Sequence, residues 1–303
     1  MAVSMVADDE FASAYLRDGR VKIPGVDAIP ERSGLLYLSA LNDPPYDVMV
    51  VPIANLVVAM DLGRPLTGIP VFPDMFFPHT GPRVNKNAGI REPKDLEGKR
   101  VSTRGFGFNP SVWMRGALIH QYDVSVEKIT WVEEEPNSMS GVEFQRSRRF
   151  RIEKGGSAAD DLESGRVDAA FFGRGGPEPT ENTEHLFVDP LAEALAYREL
   201  TGIFPPNTVQ VISERALADN PGIGQAIVDG NDEAWDLYCK EAADSDDHMG
   251  LPVKFLRDNG MFPHRNGLES NYSGVEMVSR YLFELGLTKR AWRPEELFFA
   301  GAK

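Results

Sequence analysis

The chain has 303 residues, of which 42% are hydrophobic and 26% charged, ordinary values for a globular protein that exclude disorder as the default. Its net charge of −14 excludes broad binding to nucleic acid or to an anionic membrane, because both need a basic surface. The single cysteine, Cys239, excludes an internal disulfide and any cysteine cluster for zinc or iron–sulfur.

The first residues, Met1 to Ala7, run straight into Asp8, Asp9 and Glu10. No basic segment precedes an apolar core, so this is not a secretory signal peptide, and the expected location is cytoplasmic. No apolar run reaches the roughly 18 residues that span a membrane. Val3 to Ala7 reads as a strand, and Phe11 to Leu16 as a helix stopped at Asp18 and Gly19. Asp47 to Val51 is almost wholly apolar, the pattern of a strand covered on both faces. Ile53 to Leu62 is a helix closed by Gly63 and Pro65. Ile69 to His79 is rich in proline and aromatics, which bars both a helix and a central strand. Arg83 to Asn85 returns to strand. Lys94 to Thr103 is a short helical turn, a glycine and a strand.

Asn109 and Pro110 predict the start of a helix running from Ser111 to Tyr122, with Asn109 as cap. Ile129 to Val132 is a strand. Gln145 to Arg151 holds four arginines and reads either as a solvated loop or hairpin arm or as a patch for a substrate phosphate or a partner. Asp160 to Arg166 is a helix end, and Val167 to Phe172 a buried strand leading into Gly173 to Pro177. Leu191 to Thr201, Pro221 to Ala243 and Ser270 to Leu285 are helical, and Thr208 to Ile212 is a strand. Strands alternating with helices predict an α/β fold with mainly parallel sheets.

Three units, YDVMVV at 46–51, LEGKRV at 96–101 and LESGRVDA at 162–169, follow one another as in type-2 periplasmic-binding-protein-like folds. Further segments cover nearly the whole chain: LRDGRVKIPGVD at 16–27, IPVFP at 69–73, NAGIREPKDLEGKR at 87–100, WMRG at 113–116, TGIFP at 201–205, NGLESN at 266–271 and PEELF at 294–298. Together they resemble the 4,5-dihydroxyphthalate decarboxylase family. The resemblance implies two lobes with a ligand cleft between them: residues 1–84 and 210–303 in lobe 1, residues 85–209 in lobe 2, and hinges near 83–87 and 203–210. It implies non-oxidative decarboxylation of a hydroxylated aromatic carboxylic acid, no organic cofactor, and a homo-oligomer. The sequence departs from the family at Val50 to Pro52, at Asn207 and Thr208, where relatives often carry a histidine, and at Asn266.

Such a reaction asks for cationic anchors on the carboxylate and one general acid. His79 and His264 are the candidate acids, because histidine titrates near neutrality. Arg174, Arg104 and Arg83 are candidate anchors. Arg174 and Arg104 follow strands, where ligands of open α/β sheets bind, and Arg83 lies at the expected crossing. Asn109 and Ser111, at a helix start, offer an anion site from free N–H groups. Trp113, Phe106, Phe108 and Phe204 are candidate walls for an aromatic ring, and Asn207 is expected to face the cleft. No P-loop, nucleophile elbow or HExxH motif exists, and no metal site is expected from the acidic clusters at Asp160 and Asp161 or Asp244 to Asp247. Two other readings stand beside the decarboxylase: a binding protein for a small carboxylate, and a different lyase or isomerase on the same scaffold.

Overall fold

Val48–Pro52 carries no polar side chain, and all five residues are buried, so it lies inside a sheet covered on both faces. A computed structural model describes residues 2–34, 44–134 and 149–302. Residues 145–148 of the arginine cluster lie outside them. The chain divides into two compact units. The first comprises Met1–Met75, Pro206–Ser279 and Arg290–Lys303, and the second Phe76–Pro205 and Arg280–Lys289.

The first unit is built on a five-stranded sheet of β1 (Val3–Val6), β2 (Val26–Ile29), β3 (Val48–Pro52), β4 (Leu66–Ile69) and β11 (Thr208–Ser213), in the order β2-β1-β3-β11-β4. β1 pairs in parallel with β2 and β3, while β11 runs antiparallel to β3 and β4. The carboxyl ends of β1, β3 and β4 therefore share one edge with the start of β11. Helix Ile223–Glu241 contributes Ile223, Ile227, Val228 and Ala234 to a core that also holds Val3, Met5, Leu16, Ile23 and Ile212.

The second unit holds a six-stranded sheet: β5 (Pro82–Asn85), β6 (Arg100–Thr103), β7 (Thr130–Glu134), β8 (Arg151–Gly155), β9 (Ala169–Phe171) and β10 (Thr183–His185), in the order β10-β5-β9-β6-β7-β8. β9, β6, β7 and β8 are parallel, and β5 is antiparallel to its neighbours. The loops after β9, β6 and β7 consequently line one edge.

Two expected boundaries shift for physical reasons. The first unit ends at Met75 rather than near residues 83–87, because β5 hydrogen-bonds to β9 and β10. Arg280–Lys289 counts with the second unit, because Tyr281 packs edge-on to Trp113 at 5.7 Å and its hydroxyl reaches that of Tyr197 at 3.4 Å. The helix expected from Ser111 begins at Asn109, with Phe108 in the cap position, so Asn109 is the first helical residue rather than the cap. Among the described residues no helix is long and apolar enough to cross a membrane.

Candidate functional site

In the first unit, the segment after β4 carries Phe72 and Asp74, and the start of β11 carries Thr208. Asn207 precedes that strand and donates its Nδ2 to Asp74 Oδ2 at 2.6 Å, and its backbone N–H to Asp74 O at 2.8 Å. Asn266 ties the same segment down. Its Oδ1 accepts the Phe72 N–H at 3.0 Å, and its Nδ2 donates to Asp232 at 2.9 Å. Burial raises the Asp232 carboxyl above its ordinary range.

His264 follows on this framework. Its Nε2 lies 3.1 Å from the Phe72 carbonyl oxygen, which can only accept, so Nε2 carries the hydrogen. Its Nδ1 is buried and has no partner among the described residues. The Trp235 ring lies 4.3 Å from the imidazole, centroid to centroid. Tyr238, His248 and Phe262 complete a cluster of rings, with the Tyr238 hydroxyl 2.8 Å from His248 Nδ1. Desolvation pushes His264 down to about 4, so it is neutral at pH 7. Trp235, Tyr238 and His248 were not among the expected site residues. Trp235 and Tyr238 lie three apart on an amphipathic helix, a spacing that sequence alone assigns to core.

In the second unit, Arg104 follows β6 and Arg174 follows β9 at the shared edge. Arg104 is exposed, lies 3.9 Å from Glu134, and its guanidinium stands 6.0 Å from the Phe108 ring. Arg174 is exposed in the loop Gly173–Pro177. Helix Asn109–His120 starts between these features in sequence. Asn109 and Ser111 are buried, and Ser111 Oγ has no partner among the described residues. Beneath them lies Arg115, fully buried. It donates from Nε to Ser111 O at 3.0 Å and from Nη2 to Phe106 O, and it stacks 3.9 Å from the Phe106 ring centroid. Glu133, which accepts the Phe106 N–H, is the opposing charge, yet desolvation still lowers Arg115 to about 9. A guanidinium with that value stays charged at pH 7, so it adds to the positive end of the helix.

Several expected site residues have other duties. His79 is 0% exposed, with its ring among those of Tyr122, Phe187 and Tyr197 at 5.3–6.3 Å and its Nε2 3.4 Å from Gln121 Oε1. Desolvation holds it at about 4, so it is an internal neutral imidazole at pH 7. Arg83 is buried and directs its guanidinium to backbone carbonyls of Pro177, Thr80, Pro82 and Gly175. Trp113 and Phe106 are buried in the core, at 1% and 0% exposure. Phe204 is half-buried against Phe77 at 5.1 Å. The described part of the arginine cluster, Arg149 and Arg151, lines a surface hollow of about 750 Å³ with Lys128, Glu97 and Glu127, a mixed-charge lining. Among the described residues no group of three or more His, Cys, Asp or Glu is placed to hold a metal ion.

Residues 47–143 match the family model described as NMT1/THI5 like. The chain is 25% identical over 310 aligned residues to 4,5-dihydroxyphthalate decarboxylase of Comamonas testosteroni, covering 93% of this chain and 92% of that protein. This chain is a divergent relative of the 4,5-dihydroxyphthalate decarboxylases. Among solved structures it resembles the periplasmic aliphatic sulphonate binding protein SsuA of Escherichia coli, with a TM-score of 0.53 at 15% identity over 98% of this chain and 97% of that one. It equally resembles a variant of the desulfurization enzyme DSZB solved with biphenyl-2-sulfinic acid, with a TM-score of 0.53 at 14% identity over 98% of this chain and 96% of that one. The fold of this decarboxylase relative is thus the two-lobed, periplasmic-binding-protein-like α/β fold. Both a binding protein and an enzyme carry it, so the fold alone does not decide between binding and chemistry.

Proposed function

We propose that this chain is a carboxy-lyase that removes carbon dioxide, without oxidation, from a hydroxylated aromatic carboxylic acid. The observation that carries the proposal is the near full-length similarity to a named 4,5-dihydroxyphthalate decarboxylase. The reaction breaks the bond between ring and carboxyl carbon, and leaves an electron pair on the ring that must take a proton. A positioned general acid supplies about 100- to 10,000-fold of the rate in such steps. His264 is the group assigned to it, since its Nδ1 has no partner and its ring is fixed by Phe72 and Trp235. The start of helix Asn109–His120, with Ser111 in its first turn, Arg104 shortly before it, Arg174 after the neighbouring strand β9 and the Arg115 charge beneath, has the chemistry to hold a carboxylate.

The second reading, a binding protein for a small carboxylate, is favoured by one observation. A solved binding protein, SsuA of Escherichia coli, shares the fold over 98% of this chain with a TM-score of 0.53. The test is incubation of the protein with a panel of hydroxylated aromatic acids, followed by mass spectrometry for carbon dioxide and the decarboxylated ring. Turnover is expected, with a loss of about 100-fold or more in His264→Gln. Tight binding by calorimetry with no turnover of any acid transfers the chain to the second reading.

A further inference from the structure

The reaction needs a proton that a neutral His264 does not hold. A neutral imidazole has one N–H, and that one is donated to the Phe72 carbonyl. The other nitrogen, Nδ1, is a buried lone pair with nothing to accept from among the described residues. Protonating it as the protein stands would bury an N–H that has no acceptor and no free carboxylate among the described residues. Asp232 is turned to Asn266 at 2.9 Å, and Asp74 to Asn207 at 2.6 Å. His248, stacked at 6.1 Å, uses its Nδ1 with the Tyr238 hydroxyl, and Arg265, next in sequence, is exposed. An anionic oxygen arriving at Nδ1 reverses the balance. It supplies the acceptor and the opposite charge, and the Trp235 face 4.3 Å away favours a cation over a neutral ring.

We propose that His264 takes up a proton from solvent as an aromatic carboxylate binds at its Nδ1, so that the ligand's own charge loads the catalytic acid. This rests on the decarboxylase reading for its use and not for its occurrence. The balance is simple. Solvent H⁺ goes to Nδ1 on binding. The carboxylate leaves as carbon dioxide, its bonding pair stays on the ring carbon, and the Nδ1 proton passes to that carbon. The imidazole returns to the neutral form that Phe72 holds.

The test is calorimetric titration of the full chain with benzoate and with phthalate, in pairs of buffers of different protonation enthalpy, across the neutral range where benzoate stays ionised. Uptake of about one proton per bound ligand is expected, and the dissociation constant should weaken about tenfold per pH unit. Benzamide, uncharged, should bind with no pH slope. His264→Gln should abolish the slope, and His185→Gln, on β10 of the second unit, should keep it. Should His264→Gln not fold, the wild-type imidazole signals in ¹⁵N spectra replace it: ligand must convert one histidine from neutral to doubly protonated. A flat dissociation constant with no proton uptake overturns the inference, as does uptake that persists in His264→Gln, or no binding of either acid. Turnover of a hydroxylated acid with pH-independent binding would overturn it while leaving the decarboxylase reading intact. Proton uptake without turnover would do the reverse.

Discussion

His79 and His264 look alike in sequence, each following a proline in an aromatic-rich stretch, and their neighbours separate them. His79 is 0% exposed and enclosed by Tyr122, Phe187 and Tyr197, whereas His264 is only half-buried and is oriented by the Phe72 carbonyl, although each leaves its Nδ1 without a partner among the described residues. Those neighbours come from distant parts of the chain, so no local pattern reports them. The same holds at Gly116. A Cβ there would lie 2.1 Å from the Tyr281 ring, and that ring is confined by Trp113 at 5.7 Å and by stacking on His120 at 5.5 Å. The expected result for Gly116→Ala is a loss of about 1–3 kcal/mol by overpacking, despite the gain in helix propensity. Thermal unfolding checks it, and an unchanged midpoint would mean that Tyr281 is free to move.

At the scale of elements, β3 and helix Ile53–Asp61 were legible because a continuous apolar run and a glycine–proline stop are local signals. β8 and β10 were not, since they are short and mixed in polarity; β10 and the half-exposed β8 lie at the two ends of their sheet. Arg83 shows how an element edge is secured. Gly175 and Gly176 adopt φ of +70° and +65°, a left-handed turn that suits glycine, and Arg83 gathers the Gly175 and Pro177 carbonyls of that loop. Lysine carries one donor centre and cannot span these carbonyls. Arg83→Lys should therefore cost about 2 kcal/mol, in line with lost charged hydrogen bonds, and should open residues 173–177 to limited proteolysis. An uncut loop with wild-type urea stability would remove the clamp.

For the whole molecule, acid stability follows from buried imidazoles. The His79 value falls from 6.5 to about 4 on folding, so between those values the unfolded chain binds more protons than the folded one. Its contribution is complete above pH 6.5 and is lost as pH falls towards about 4. From pH 7 to pH 5 this group alone should remove about 2 kcal/mol. His264 acts in the same direction, while Glu97 and Glu296, held at about 2 by Lys128 and Arg290 respectively, lose their stabilising effect as pH falls from 4.5 towards about 2, from the lower end of the histidine window downward. Urea unfolding at pH 7 and pH 5 should show a smaller acid loss in His79→Phe than in the wild type. Equal losses would mean that His79 is hydrated in the folded state.

The sequence by itself determined the alternation of strands and helices, the mainly parallel sheets and the kinship with the decarboxylases, because apolar periodicity, caps and motif order are written along the chain. It also placed Arg104 and Arg174 directly after strands. Only the tertiary structure decided that Arg83 is a loop clamp, that Trp113 and Phe106 are core, and that Arg115 lies charged beneath a helix start. It alone joined His264 to Phe72 and Trp235. The reason is physical: the protonation and freedom of a side chain depend on what solvates it, and that is set by residues far away in sequence.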